Sequence, residues 1–158
     1  MTYERFEDLP VWKAALALAE KIYALTETSL IRKKYSLRDQ IERAALSVSN
    51  NIAEGFERGT TQELLTFLYI SRGSAGEVRS MLCFLERLSA FNDLKSEISN
   101  LKSEIEGISR QLRAWADSLQ NSEIKGQRYL NEKEQILAKD KKEKAEFLKT
   151  LKSYQKVK

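Results

Sequence analysis

Apolar positions recur at helical spacing through four successive stretches of this chain. In the first, Leu9, Trp12, Leu16, Ala19 and Tyr23 form one stripe, and Ala15, Leu18, Ile22 and Leu25 widen it. A face that broad is covered from two sides, as in a bundle. Asp8 can cap, and Pro10 falls in the first turn, where a missing N–H costs nothing. The pattern predicts a helix from Asp8 to near Thr28, followed by a polar, basic connection over residues 28–35. Ser36 is the predicted cap of a second helix running to about Phe56. Its inner face is Leu37, Ile41, Ala44, Ala45, Val48, Ile52 and Phe56. Ala44, Ala45, Ser47, Ser49 and Ala53 are small, so a neighbouring helix can come close. Gly55 and Gly59 bracket the stop.

Thr60 with Glu63 has the spacing of a capping box and opens a third helix. Leu64, Phe67, Leu68, Ser71, Ala75, Val78, Leu82 and Leu85 carry it to about Ser89. Asn92 is the predicted cap of the fourth. There Leu94, Ile98, Leu101, Ile105, Ile108, Leu112, Trp115 and Leu119 alternate steps of four and three. That is a heptad seam, which packs at a small crossing angle. Asn121, Ser122 and Gly126 end the pattern. The expected fold is all-α: an antiparallel up-and-down four-helix bundle over residues 1–126. Residues 127–158 form a Lys/Glu-rich C-terminal extension with sparse apolar positions, able to make an amphipathic helix.

Composition fits one bundle with a tail. The 158 residues are 42% hydrophobic and include one Pro and six Gly, too little punctuation for many short strands. A single cysteine, Cys83, allows no internal disulfide and suits a reducing compartment. No apolar run approaches the roughly 20 residues of a membrane span, and the mixed, acidic N-terminus is unlike a signal peptide. A cytoplasmic protein with no membrane partner is therefore expected. The net charge of +4 is uneven: residues 1–119 hold 16 Lys/Arg against 17 Asp/Glu, and residues 120–158 hold 11 against 6. The bundle is nearly neutral, so nucleic-acid contact would depend on local patches.

Catalytic chemistry finds little to work with. The chain has no histidine, the commonest general base and metal ligand. One cysteine makes no zinc site, and Cys83 reads as a small hydrophobe. The run Arg72–Glu77 holds two glycines but no lysine at phosphate-loop spacing, and it falls inside a predicted helix. Its glycines read better as places where a helix backbone comes close. No enzyme activity, metal or cofactor is expected.

What stands out is polar. Arg43, Asn50 and Glu54 share one side of the second helix, with Asn51 beside them; Arg72, Ser74 and Glu77 lie on the third. One reading is a buried network in which Arg43, Asn51, Glu54, Arg72 and Glu77 tie two helices, since buried charge persists only when paired. A second is a contact between subunits, and a third is direct ligand binding. A second cluster, Arg32, Lys33, Lys34 and Arg38 with Arg43 further on, reads either as a solvated loop or as a phosphate-contacting patch. Lys139, Lys141, Lys142 and Lys144 form another basic candidate in the tail.

Several of these pieces, in order, resemble one family. Phe6-Glu7-Asp8-Leu9 with Val11-Trp12-Lys13-Ala14, Leu37-Arg38-Asp39-Gln40-Ile41, and Arg43-Ala44-Ala45 leading to Asn51-Ile52-Ala53-Glu54-Gly55-Phe56 are similar to bacterial four-helix-bundle proteins encoded in intervening sequences of 23S ribosomal RNA genes. Arg58-Gly59, Glu63, Phe67-Leu68 and Arg72 through Glu77 continue the likeness, and Ser118-Leu119, Ser122-Glu123 and Lys125-Gly126 resemble its ending. The resemblance implies a homopentamer around a central channel and association with RNA or DNA, without catalysis. Relatives include the accessory protein of diversity-generating retroelements, so binding to a reverse transcriptase is an alternative. A pure protein scaffold is another. A reverse transcriptase gene next door would favour the first alternative. The chain departs from the family in a terse turn at Ala90–Asp93 and in residues 127–158. A buried network would make Glu54→Ala cost about 2–4 kcal/mol in a denaturation experiment, and a change near zero would mean a solvated side chain.

Overall fold

The computed structural model describes residues 3–121, 140 and 143–148. The chain divides into two compact units, Met1–Gly126 and Gln127–Lys158. In the first, the helices are α1 (Pro10–Thr26), a single turn α2 (Ser29–Arg32), α3 (Tyr35–Glu57), α4 (Thr61–Arg87) and α5 (Lys95–Gln120). No strand occurs among the described residues. The four long helices close a cycle: α3 packs on α1 and α4, and α5 on α4 and α1. Short connections make chain neighbours antiparallel, so the predicted up-and-down bundle forms. In the second unit, residues 143–148 are helical. The expected tail pattern and the family-like ending at Ser122–Gly126 otherwise lie outside the described residues.

Helix starts differ from expectation in three places. Phe6–Asp8 form a 3-10 turn rather than the first helical residues, and Leu9, in extended conformation, precedes Pro10 at the helix start with no side-chain cap. The Phe6 ring meets the Trp12 ring edge-on at 5.2 Å, so apolar packing fixes the entry in place of Asp8. The basic connection is not all loop. Thr28 O accepts from the backbone N–H of Ile31 and Arg32, closing the α2 turn, and Ile31 is fully buried. Ser36 and Asn92 do not cap: α3 begins at Tyr35, and a 3-10 stretch over Ser89–Leu94 with Phe91 buried leads into α5. Thr60 behaves as expected, its Oγ1 accepting from Glu63 N–H at 3.2 Å.

The seam of α5 drifts. Ile98, Leu101, Ile105, Ile108 and Leu112 are buried, but the next buried position is Ala116, with Trp115 and Leu119 only partly covered. A straight helix repeats every 3.6 residues, so a 3.5-residue pattern rotates off the contact line within a few turns.

The tightest fit joins α3 to α4. A side chain at Gly55 would place its Cβ 2.6 Å from Phe67 Cβ and 3.2 Å from Leu64 Cδ1. Deeper along the same contact, buried Ser71 on α4 donates through Oγ to the Val48 carbonyl on α3 at 2.8 Å. The hairpin turns at Gly59, whose φ of 80° is left-handed and favours glycine. Gly55→Ala is therefore expected to destabilise the fold by about 1–3 kcal/mol, despite alanine's better helix propensity, because overpacking outweighs it. A urea midpoint equal to or above wild type would show that the two helices relax apart at no cost.

Candidate functional site

Two surface regions gather the candidate residues. The first is a shallow trough of about 600 Å³ along the outer side of α3, where Arg43, Asn50, Asn51 and Glu54 line one wall and Glu77 of α4 approaches the other. The second is the corner where α1, α2 and α3 meet, carrying Arg32, Lys33, Lys34 and Arg38.

Within one chain the trough residues do not form the buried Arg–Glu network. The Arg43 side chain is 81% exposed and, among the described residues, pairs only with Asp39, at 3.7 Å on its own helix. Glu54 pairs along the helix with Arg58 at 2.6 Å, both half-exposed. Glu77 accepts a 3.2 Å hydrogen bond from Gln40. The Arg72 guanidinium lies 6.0 Å from the Tyr69 ring centre, and its Nε is shielded from solvent with no hydrogen-bond partner. Asn51 donates to the Ser47 carbonyl at 2.6 Å and to Ser47 Oγ at 2.9 Å. The steps of seven and four that unite Arg43, Asn50 and Glu54 do place them on one side, but it is the side turned away from the core. Besides the exposed Gln40–Glu77 bond, links that cross from α3 to α4 are small: Ser47 Oγ to Ser74 Oγ at 2.9 Å, and the buried Ser71–Val48 bond.

The corner holds the polar network that periodicity does not reveal. Thr26, fully buried at the end of α1, has Oγ1 2.6 Å from Glu42 Oε1 and 2.9 Å from the Tyr23 carbonyl. Glu42, 13% exposed, accepts from Arg38 Nε at 2.9 Å, while Arg38 also meets Glu27 at 2.8 Å. The Glu42 hydrogen bond, helped by the Glu27 charge, raises the Arg38 pKa above its already high ordinary value. Arg38 therefore clamps α3 to α1 and is not an open cation of the corner. Its i,i+4 spacing to Glu42 was legible in sequence; the contribution of Thr26 and Glu27 needed the fold. Arg32, Lys33 and Lys34 are exposed, and none makes an ion pair with a described residue. Lys139, Lys141 and Lys142 lie outside the described residues, and Lys144 is exposed.

At Gly73 and Gly76 no other helix of the described residues comes close: a Cβ at either would meet nothing within 4 Å. They lie on the outer face of α4, where Ile70 and Phe84 are 46% and 52% exposed. Among the described residues no group of three or more His, Cys, Asp or Glu is arranged to hold a metal ion, and no helix is long and apolar enough to cross a membrane.

Removing a half-solvated ion pair and removing a clamp differ in consequence. Glu42→Ala removes the carboxylate that joins Thr26 to Arg38, leaving them the Tyr23 carbonyl and Glu27, and is expected to cost about 1–3 kcal/mol. Glu54→Ala is expected to change the stability of the single-chain fold by no more than about 0.5 kcal/mol, as for exposed pairs. Urea denaturation of both variants checks the contrast; equal losses would contradict it.

A search of the curated proteins finds no match. The family model described as 23S rRNA-intervening sequence protein matches residues 7–114, from the N-terminal 3-10 turn through most of α5. That span takes in both the Arg43–Phe56 run and the Arg72–Glu77 run, and it covers well over half of the chain. With the four-helix cycle and these residues in place, the chain belongs to the 23S rRNA-intervening sequence protein family.

Proposed function

We propose that this protein is a non-enzymatic helical scaffold that assembles with copies of itself and associates with RNA. The observation that carries the assembly is the outer face of α4. Two glycines in the middle of a 27-residue helix each cost roughly 1 kcal/mol relative to alanine. No described residue outside α4 comes near either one. Ile70 and Phe84 stand exposed on that face, one turn or two from the glycines. A bare backbone strip between apolar side chains suits close approach by another helix, and a second copy supplies one. The neighbouring trough offers Arg43, Asn51, Glu54 and Glu77 to the same partner, each held only by local or single bonds. Arg72 fits an inter-subunit role in the same way. The resemblance to pentameric bundles makes five copies around a channel the proposed assembly.

The RNA half rests on the corner cations Arg32, Lys33 and Lys34, which no acidic side chain among the described residues neutralises. One such patch is weak. Repeated around a closed ring, several patches bind one long polyanion by avidity, with an affinity that falls steeply with salt. Arg43, on the trough, remains a further proposed phosphate contact.

Two measurements test this reading. Light scattering is expected to show a closed oligomer. The double variant Gly73→Ala/Gly76→Ala should gain about 0.5–1 kcal/mol of helix stability per site while shifting the population to smaller species. A strict monomer at all concentrations would remove the assembly. Titration against structured RNA should give binding that weakens as salt rises, and affinity absent at low salt would remove the RNA association.

A further inference from the structure

The corner that carries the cations also carries an aromatic ring. Tyr35, the first residue of α3, is 78% exposed, more than any other large hydrophobic side chain among the described residues. It follows directly on Arg32, Lys33 and Lys34, all exposed. A single exposed tyrosine on a protein surface needs no explanation. This one differs in being set against three cations that no described acidic side chain neutralises, on a corner that is fixed in place. Ile31 plugs α2 into the core. The backbone N–H of Lys34 is bonded to Ile31 O at 2.7 Å, and that of Arg38 to Lys34 O at 3.0 Å. The Arg38 clamp to Glu27 and Glu42 keeps the start of α3 on the end of α1 and engages both of those acids.

We infer that this corner binds single-stranded nucleic acid, with the Tyr35 ring stacking on an unpaired base and Arg32, Lys33 and Lys34 contacting the flanking phosphates. The chemistry that recognises the ligand is the pairing of a flat π-face with a short run of positive charge. A duplex satisfies only the charges, because its bases are already stacked and their faces are closed to a side chain. An unpaired strand satisfies both. The backbone beneath the ring is fixed at a helix start, so only side-chain rotation is lost when a base settles on it. This deepens the RNA association proposed above and rests on it: it names unpaired RNA as the form recognised and Tyr35 as the residue that makes the distinction.

The roles separate experimentally. Phosphate contacts set the salt dependence, about 0.7 in log affinity per log salt for each contact to a single strand. Stacking sets affinity at fixed salt. The probes are a fluorescein-labelled oligouridylate of about fifteen nucleotides, a length within reach of common single-strand sites, and an RNA duplex of equal length, both read by anisotropy with full-length protein. Wild type is expected to prefer the oligouridylate. Tyr35→Ala should weaken that binding about tenfold, within the range of one base–aromatic stack, and leave the salt slope unchanged. Tyr35→Phe should bind like wild type. Lys33→Ala should flatten the slope by about 0.7. Because these side chains are exposed, thermal unfolding should match wild type in every variant.

Equal binding of both probes by wild type, with Tyr35→Ala unaffected, would overturn the stacking role and leave the RNA association standing. Binding of neither probe at low salt would overturn both. Polyglutamate displacing the oligouridylate at equal charge concentration would assign the corner to acidic protein partners and overturn the inference. Loss of affinity in Tyr35→Ala together with retention in Tyr35→Phe would support it.

Discussion

The close seating of α3 on α4 is the constraint from which the other features follow. Gly55 leaves room for Phe67 and Leu64. Ala44, Ala45 and Ser49 of α3 and Ala75 of α4 are small and buried. Ser71 reaches across to a carbonyl that already belongs to another helix, which requires the two backbones to run close together. Small side chains contribute little apolar area each, but they let large neighbours on α1 and α5 fill the centre of the bundle without voids. Leu18, Ile22, Ile52, Leu68, Leu82 and Ile105 are all fully buried there.

That seating also decides what faces outward. With the inner sides of α3 and α4 committed to each other and to the core, the sides carrying Arg43, Asn50 and Glu54, or Ile70, Gly73 and Phe84, are turned to solvent. The polar residues that look most conspicuous in sequence are thus not what holds the single chain together. Between α3 and α4 the polar links are serine hydroxyls and the exposed Gln40–Glu77 bond, at little desolvation cost because each hydroxyl is hydrogen-bonded. The charged groups remain available to a partner, and the proposed assembly draws on them.

The corner of α1, α2 and α3 shows a different solution. Here charge is drawn inward, and it is tolerated because every member is engaged: the Thr26 hydroxyl, the Glu42 carboxylate, the Arg38 guanidinium and Glu27. The clamp sorts the basic residues of the region into two kinds. Arg38 is structural. Arg32, Lys33 and Lys34 are left projecting, and Tyr35 with them. A rigid base with charges and a ring above it is what the proposed interaction with an unpaired strand requires.

Periodicity alone determined the helices, their order and most of the core, because burial of an apolar stripe leaves a 3.6-residue signature wherever it happens. The Thr60–Glu63 cap was legible for a similar reason, being local. Helix starts at Asp8, Ser36 and Asn92 were misplaced because apolar anchors, Phe6 on Trp12, Ile31 and Phe91, outcompeted polar caps for the same few residues. Which way Arg43 and Glu54 point, that Gly55 is filled against while Gly73 and Gly76 are open, and that Arg38 is taken while Lys33 is not, only the tertiary structure decided. Each depends on what a different segment of chain brings to within a few ångströms, and spacing along one helix carries no information about that.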